Sequence, residues 1–334
     1  MQLFFLFLLL NIILFLNLGR LSKLINIYDK PDNKRKFHKD IASVIGGTIF
    51  YINYIIFTIY IIFINNETSI IKIKTLSDFL TWIIFPSLVF FIGLYDDKKN
   101  LKGLTKFVLI LLISLFFVSI DQSLILKTLK FNFLYNQYSL NIYSIPFTVF
   151  CIICFLNAFN MFDGVDLQVG AYIIFIIIFL FFKAGIFNEL IPLFLGSILF
   201  FYCNAKKNIF LGDGGTYFVG LIISLYFIKS YNLNLNILCD EILVIMLLPG
   251  LEMARLFIER ILNKKNPLLA DRNHFHHLLL KYFQNKNKNF VIFSSSIIYY
   301  LMIIIYLNFQ SYEIILIYIL TYFIFINYLK KKID

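Results

Sequence analysis

The chain has 334 residues, 60% of them hydrophobic, with a mean hydropathy of +0.83. A soluble domain is roughly 45 to 50% apolar, so a water-soluble globular protein is excluded and an integral membrane protein is indicated. The formal net charge of +11 reflects either membrane topology or an anionic partner, and the placement of the basic residues decides between them.

Eleven apolar stretches of spanning length follow one another along the chain, at 2 to 19, 42 to 64, 79 to 95, 104 to 120, 144 to 160, 168 to 186, 189 to 204, 213 to 230, 238 to 258, 290 to 308 and 312 to 329. Continuous, all-round apolar runs of about 20 residues suit helices and not the alternating short strands of a membrane barrel. The expected fold is all-α, a polytopic membrane protein with about ten or eleven transmembrane helices in a single catalytic domain spanning residues 1–334. No linker, long charged tail or solenoid repeat divides it. The first run has no basic residue before it and no small-residue cleavage site, so it reads as a spanning helix and not as a leader.

Arg20 and Lys23 follow that first run, which places the N-terminus outside and the loop at 20 to 41 inside. Threading the remaining spans from there puts 24 Lys and Arg on the inner side and six, Lys72, Lys74, Lys127, Lys130, Lys183 and Lys229, on the outer side. This positive-inside bias explains the net charge. A nucleic-acid partner is rejected, because the basic residues are spread over short loops with no soluble domain. Cys151, Cys154, Cys203 and Cys239 all lie in or beside apolar runs, so the Cys151/Cys154 pair reads as two packing residues and no disulfide framework is implied.

Acids, amides and histidines gather at the inner ends of the spans. Asp96 and Asp97 close the third span; they are either a hydrated turn or a hard-oxygen donor pair for magnesium, which takes one or two carboxylates plus substrate phosphates. Asn157, Asn160, Asp163 and Asp166 recur every third residue and are expected on one slowly rotating helical stripe, either an interhelical hydrogen-bond seam or the wall of a substrate pocket. Asp213 stands among Gly212, Gly214 and Gly215, where the backbone can come close to a phosphate. His274, His276 and His277 lack the spacing of a zinc site; beside Arg272 they read better as an electropositive lid for phosphate oxygens. His38, in a basic loop leading to Gly46 and Gly47, is a topogenic or substrate-facing residue. Carboxylates beside hydrocarbon persist mainly where they face a cavity, an ion or a substrate.

In order, the segments Asp29 to His38, Gly46 and Gly47, Gly93 to Asp97, Asn157 to Asp166, Phe210 to Thr216 and Asp271 to His277 resemble the polyprenyl-phosphate N-acetylhexosamine-1-phosphate transferases of glycosyltransferase family 4. The resemblance runs over nearly the whole chain. The His-x-His-His form looks more like the undecaprenyl-phosphate GlcNAc-1-phosphate transferase branch than the phospho-MurNAc-pentapeptide translocases. It implies transfer of a sugar 1-phosphate from a UDP-N-acetylhexosamine to undecaprenyl or another polyprenyl phosphate, with release of UMP, in a bacterial cytoplasmic (inner) membrane and with the active site on the cytoplasmic face. It also implies magnesium, with manganese as an alternative, held by Asp213, Asn160 and Asp97.

By the same resemblance Asp96, Asp97 and Asp163 are catalytic. Asn157, Asp166, Phe210, Arg272, His274, His276, His277 and His38 bind substrate, Phe210 by stacking on uracil. The product would begin an O-antigen, capsule, teichoic-type or other cell-wall or surface polymer. Membrane lipid is the surrounding partner, and a homodimer is among the assemblies open to it. The competing class is a transporter or flippase, whose acids would sit near the bilayer midplane between repeated halves. Two departures stand out: Leu167 follows Asp166 where relatives commonly have Gly, and Glu252 stands where Asp is expected before Arg255.

Overall fold

A computed structural model describes residues 2–29, 42–64, 70–206, 209–267, 273–283 and 288–333. His38 and Arg272 lie outside the described residues.

Each apolar run folds as helix, since a chain in hydrocarbon must satisfy its own backbone groups. In chain order these are α1 (Gln2–Leu16), α2 (Leu18–Ile25), α3 (Gly46–Ile64), α4 (Leu76–Phe79), α5 (Phe85–Lys99), α6 (Gly103–Ile120), α7 (Ser144–Phe162), α8 (Gln168–Ala184), α9 (Phe187–Ala205), α10 (Gly212–Asn232), α11 (Cys239–Ile245), α12 (Leu247–Leu262), α13 (Phe275–Tyr282), α14 (Lys288–Phe309) and α15 (Tyr312–Ile333). Two two-residue antiparallel ladders complete it: β1 (Tyr28–Asp29) with β2 (Ala42–Ser43), and β3 (Thr128–Leu129) with β4 (Tyr138–Ser139).

All eleven predicted spans thus meet a helix or a helix pair. Among the described residues, six helical stretches are long and apolar enough to cross a membrane unaided: Gly46–Phe63, Leu76–Lys99, Gly103–Ile120, Asn141–Phe162, Phe187–Ala205 and Tyr312–Ile333. Counting α1 with α2, bent by 68° at Asn17, gives seven. The other runs differ for local reasons. Helix α8 is short, the run at 238 to 258 breaks between α11 and α12, and α10 carries Asp213, Lys229 and four glycines.

Helix α10 tolerates this polarity because it is the axis of the bundle. Every residue from Gly214 to Tyr231 is buried, with α3, α5 and α7 packed around it. Helices α8 and α9 pack on each other, α9 also meets α1 and α3, and α13 lies on α15. Between α4 and α5 the chain makes a π-helical turn, Leu80–Ile84, just before Pro86. Proline has no N–H to donate to the carbonyl four residues back; Tyr54 instead donates its hydroxyl to the Trp82 carbonyl at 2.7 Å.

The end of α10 remote from Asp213 is fastened by buried polar groups. Lys229 Nζ lies 3.1 Å from Asp121 Oδ2, which also accepts the Thr81 hydroxyl at 3.0 Å. Asp240, fully buried, accepts the Asn132 backbone N–H at 3.0 Å and its side-chain amide at 2.9 Å. These contacts hold the β3–β4 hairpin against the bundle and leave the opposite end for the acid cluster.

Candidate active site

Glycines let three helices touch where the acids gather. A Cβ on Gly47 of α3 would fall 2.4 Å from the Gly215 Cα of α10, and one on Gly93 of α5 would fall 2.6 Å from the Asp213 carbonyl oxygen. Only glycine fits such backbone contact. Helix α10 begins at Gly212, in the left-handed region at φ +75°, and its first N–H groups point at Asp97. Asp97 Oδ1 accepts the Asp213 N–H at 2.8 Å and Oδ2 accepts the Gly214 N–H at 2.9 Å. The carboxylate therefore serves donors that a helix start leaves unpaired, at the positive end of the helix dipole. It also fixes the ends of α5 and α10 on one face, as the threading of the spans requires.

Lys106 of α6 joins the other two acids. Its Nζ donates to Asp96 Oδ2 at 2.6 Å and to Asp213 Oδ2 at 2.7 Å, and lies 5.2 Å from the Tyr217 ring centre. Asp96 Oδ1 accepts the Leu101 N–H at 2.6 Å. Asp213 Oδ1 accepts the Asn160 amide at 2.8 Å, and that amide also donates to the Thr216 hydroxyl at 2.8 Å. The Asp213 side chain is 33% exposed, against 7% for Asp96.

The predicted four-residue stripe divides in two. Helix α7 ends at Phe162, so Asn157 and Asn160 are helical, Asp163 is the C-cap residue and Asp166 lies in the turn before α8. Asn157 donates to its own helix at the Ile153 carbonyl, 2.8 Å away, and does not join the acid cluster. Burial pushes the Asp163 carboxyl up to about 7, with the charges of Asp213, Asp97 and Asp166 adding to the effect. Leu167, the residue that replaces the expected glycine, sits at φ +70° with its N–H donated to Asn204 Oδ1 at 2.6 Å. The turn keeps the backbone shape that favours glycine although the residue has changed.

The histidine segment docks on this turn. His276 is buried, and its ring lies over Gly164, where a Cβ would fall 2.0 Å from Nε2. Burial holds its imidazole well below the usual histidine range, and neighbouring His277 and His274 lower it further. Inside the segment the rings of His274 and His276 stack at 5.3 Å and those of His276 and His277 meet at 4.4 Å. Phe210 is half-buried, its backbone N–H donating to the Ser43 carbonyl at 2.9 Å and its carbonyl accepting the Gly46 N–H at 2.9 Å.

The fold therefore unites Asp96, Asp97, Asn160 and Asp213, with Asp163 next to them and the histidines against Gly164. Lys106 was not singled out from the sequence, and Thr216 entered only as the end of the Phe210 to Thr216 segment, with no role of its own. Lys106 stands at the start of an apolar run with no acid within helical reach, so its partners become visible only in three dimensions. Among the described residues no group of three or more His, Cys, Asp or Glu is placed to hold a metal alone. The donor set is nonetheless hard oxygen: two carboxylates share one ammonium, with an amide beside them. That chemistry fits a magnesium ion completed by substrate phosphates.

Residues 79–231 match the family described as glycosyl transferase family 4, an interval containing Asp96, Asp97, Asp163, Asp166 and Asp213. A probable undecaprenyl-phosphate N-acetylglucosaminyl 1-phosphate transferase of Bacillus subtilis is 28% identical over 271 residues, covering 79% of this chain and 72% of that protein. The undecaprenyl-phosphate alpha-N-acetylglucosaminyl 1-phosphate transferase of Yersinia pestis is 22% identical over 276 residues, covering 77% of this chain and 70% of its own. That of Thermotoga maritima is 22% identical over 260 residues, with 77% and 74% covered. Ordered motifs, helical architecture and the match over residues 79–231, just under half of the chain, agree in making this chain similar to glycosyl transferase family 4.

Proposed function

We propose that this protein transfers a sugar 1-phosphate, GlcNAc-1-phosphate foremost, from a UDP-sugar to undecaprenyl phosphate, releasing UMP and leaving an undecaprenyl-diphosphate sugar. The carrying observation is the cluster of Asp96, Asp213, Asn160 and Lys106 at the helix ends, joined by the histidine segment. Phosphoryl transfer asks for positioning and charge neutralisation more than for a covalent partner.

A lipid phosphate oxygen attacks the sugar-side phosphorus. The new P–O bond forms as the bond from that phosphorus to the bridging oxygen breaks, and the electron pair leaves with UMP. The attacking dianion is already a nucleophile, so no aspartyl-phosphate is required. Asp96 and Lys106 orient the lipid phosphate, while Asp163, holding a proton over part of the neutral range, offers the nucleotide a hydrogen bond. The histidine segment, with Arg272, covers the diphosphate.

Magnesium, when bound, would neutralise the diphosphate charge. Asp213 and Asn160 are its expected holders. Asp97, whose oxygens also accept N–H groups of α10, is the third expected holder, with Asp96 beside it. The positive-inside bias supports a cytoplasmic-facing site in a bacterial cytoplasmic membrane, with the N-terminus outside.

Purified protein incubated with labelled UDP-GlcNAc, magnesium and undecaprenyl phosphate should move label into the organic phase with UMP released, and EDTA should stop it. No lipid labelling from any of a panel of UDP-sugars would reject the reading, and solute uptake without lipid labelling would place the chain among transporters.

A further inference from the structure

The entry to the histidine segment is gripped on both sides by one pair of residues. Glu252 and Arg255 sit one turn apart on α12, both buried. Arg255 Nη2 donates to the Asn273 carbonyl at 2.7 Å, and Glu252 Oε1 accepts the Phe275 N–H at 2.9 Å. The two peptide groups flanking His274 are thereby held by opposite charges that also bond each other at 2.5 Å. Glu252 Oε1 lies 4.0 Å from His274 Nδ1.

Helix α15 completes the grip. Tyr322 donates its hydroxyl to Glu252 Oε2 at 2.5 Å and accepts Arg255 Nε at 3.0 Å. Arg255 Nη1 reaches both oxygens of Glu259 at 3.0 Å, and Lys330 near the end of α15 donates to Glu259 at 2.6 Å. A buried pair with its remaining valences taken up is an orienting device more than a source of stability. Contact then passes from His274 to the stacked His276 ring, and from there to Gly164 beside Asp163.

We propose that Glu252, Arg255 and Tyr322 are positioning residues for the transfer reaction. They set His274 and, through it, the histidine face that closes on the turn containing Asp163; this makes α15 part of the active unit. The inference rests on the reading under Proposed function and extends it beyond the family-matched interval, which ends at residue 231. Groups that orient a ligand-facing side chain typically change activity about 10- to 100-fold when removed.

A double-mutant cycle tests it in the lipid-labelling assay. Tyr322→Phe, which deletes one hydroxyl, and Glu252→Gln should each lower kcat/KM for UDP-GlcNAc about tenfold, leaving KM for undecaprenyl phosphate unchanged. In a His274→Ala background the same two changes should cost less than about twofold, because the residue they act through is gone. Equal losses in both backgrounds would reduce the network to a structural role, and wild-type turnover in His274→Ala alone would equally overturn the proposal. Should Glu252→Gln not fold, Tyr322→Phe carries the cycle alone. Absence of lipid labelling by the unaltered protein would instead reject the transferase reading itself.

Discussion

Lys106 offers the sharpest test of the acid cluster. Its ammonium lies 2.6 Å from Asp96 Oδ2 and 2.7 Å from Asp213 Oδ2, so those oxygens are no more than about 5 Å apart. At an effective dielectric near 20, two unit charges at about that separation repel by roughly 3 kcal/mol. Lys106→Met removes the cation between them, and the partial exposure of Asp213 lowers the expected loss to about 2 kcal/mol. A divalent ion binding the same pair would restore it, since a ligand at about 100 times its dissociation constant contributes about 2.7 kcal/mol.

The assay is thermal unfolding in detergent, for wild type and Lys106→Met, with EDTA and with saturating magnesium. The variant should melt lower than wild type in EDTA, and magnesium should raise its midpoint more than that of wild type. Equal magnesium responses, or no loss in EDTA, would refute the view that ammonium and metal serve one pair of carboxylates.

Three further outcomes are expected. Asp163, raised to about 7 in the folded protein from a usual value near 3.8, makes the folded state hold more protons between those limits, so its contribution to stability falls as pH rises through that window; in EDTA, Asp163→Asn should therefore raise the melting midpoint at pH 8 and change it little near pH 4, and a gain independent of pH would contradict this. Leu167 at φ +70° carries a left-handed cost of about 1 to 2 kcal/mol, partly matched by glycine's greater flexibility when unfolded. Melting midpoints should thus order Leu167→Gly at or above wild type and Leu167→Val below it, and a Val variant as stable as wild type would refute the strain. Gly164→Ala places a methyl group where the His276 ring lies and should reduce lipid labelling about tenfold or more, whereas full activity would show that the ring need not dock there.

The sequence by itself determined the class and the helices, and it marked where the polar residues gather. Hydropathy is a local property, so runs such as Gly103–Ile120 or Tyr312–Ile333 announce themselves without knowledge of their neighbours. Polar residues at the ends of those runs are equally visible, which is why Asp96, Asp97, Asn160 and Asp213 were legible as one site. Their roles were not. Whether Asp97 caps a helix or faces a ligand depends on the start of α10, over a hundred residues away in the chain. Asn157 donates to its own helix at the Ile153 carbonyl, and α7 stops at Phe162, before Asp163 and Asp166 can continue the stripe.

Lys106, with partners 10 and 107 residues distant, resembled any basic residue at a membrane boundary. Glu252 and Arg255 are neighbours on one helix, but their bonds to Tyr322 and to the histidine segment arise only where α12, α13 and α15 pack together. Only the tertiary structure decided these pairings, because a hydrogen bond or an ion pair depends on distance and direction between groups that the order of residues leaves open.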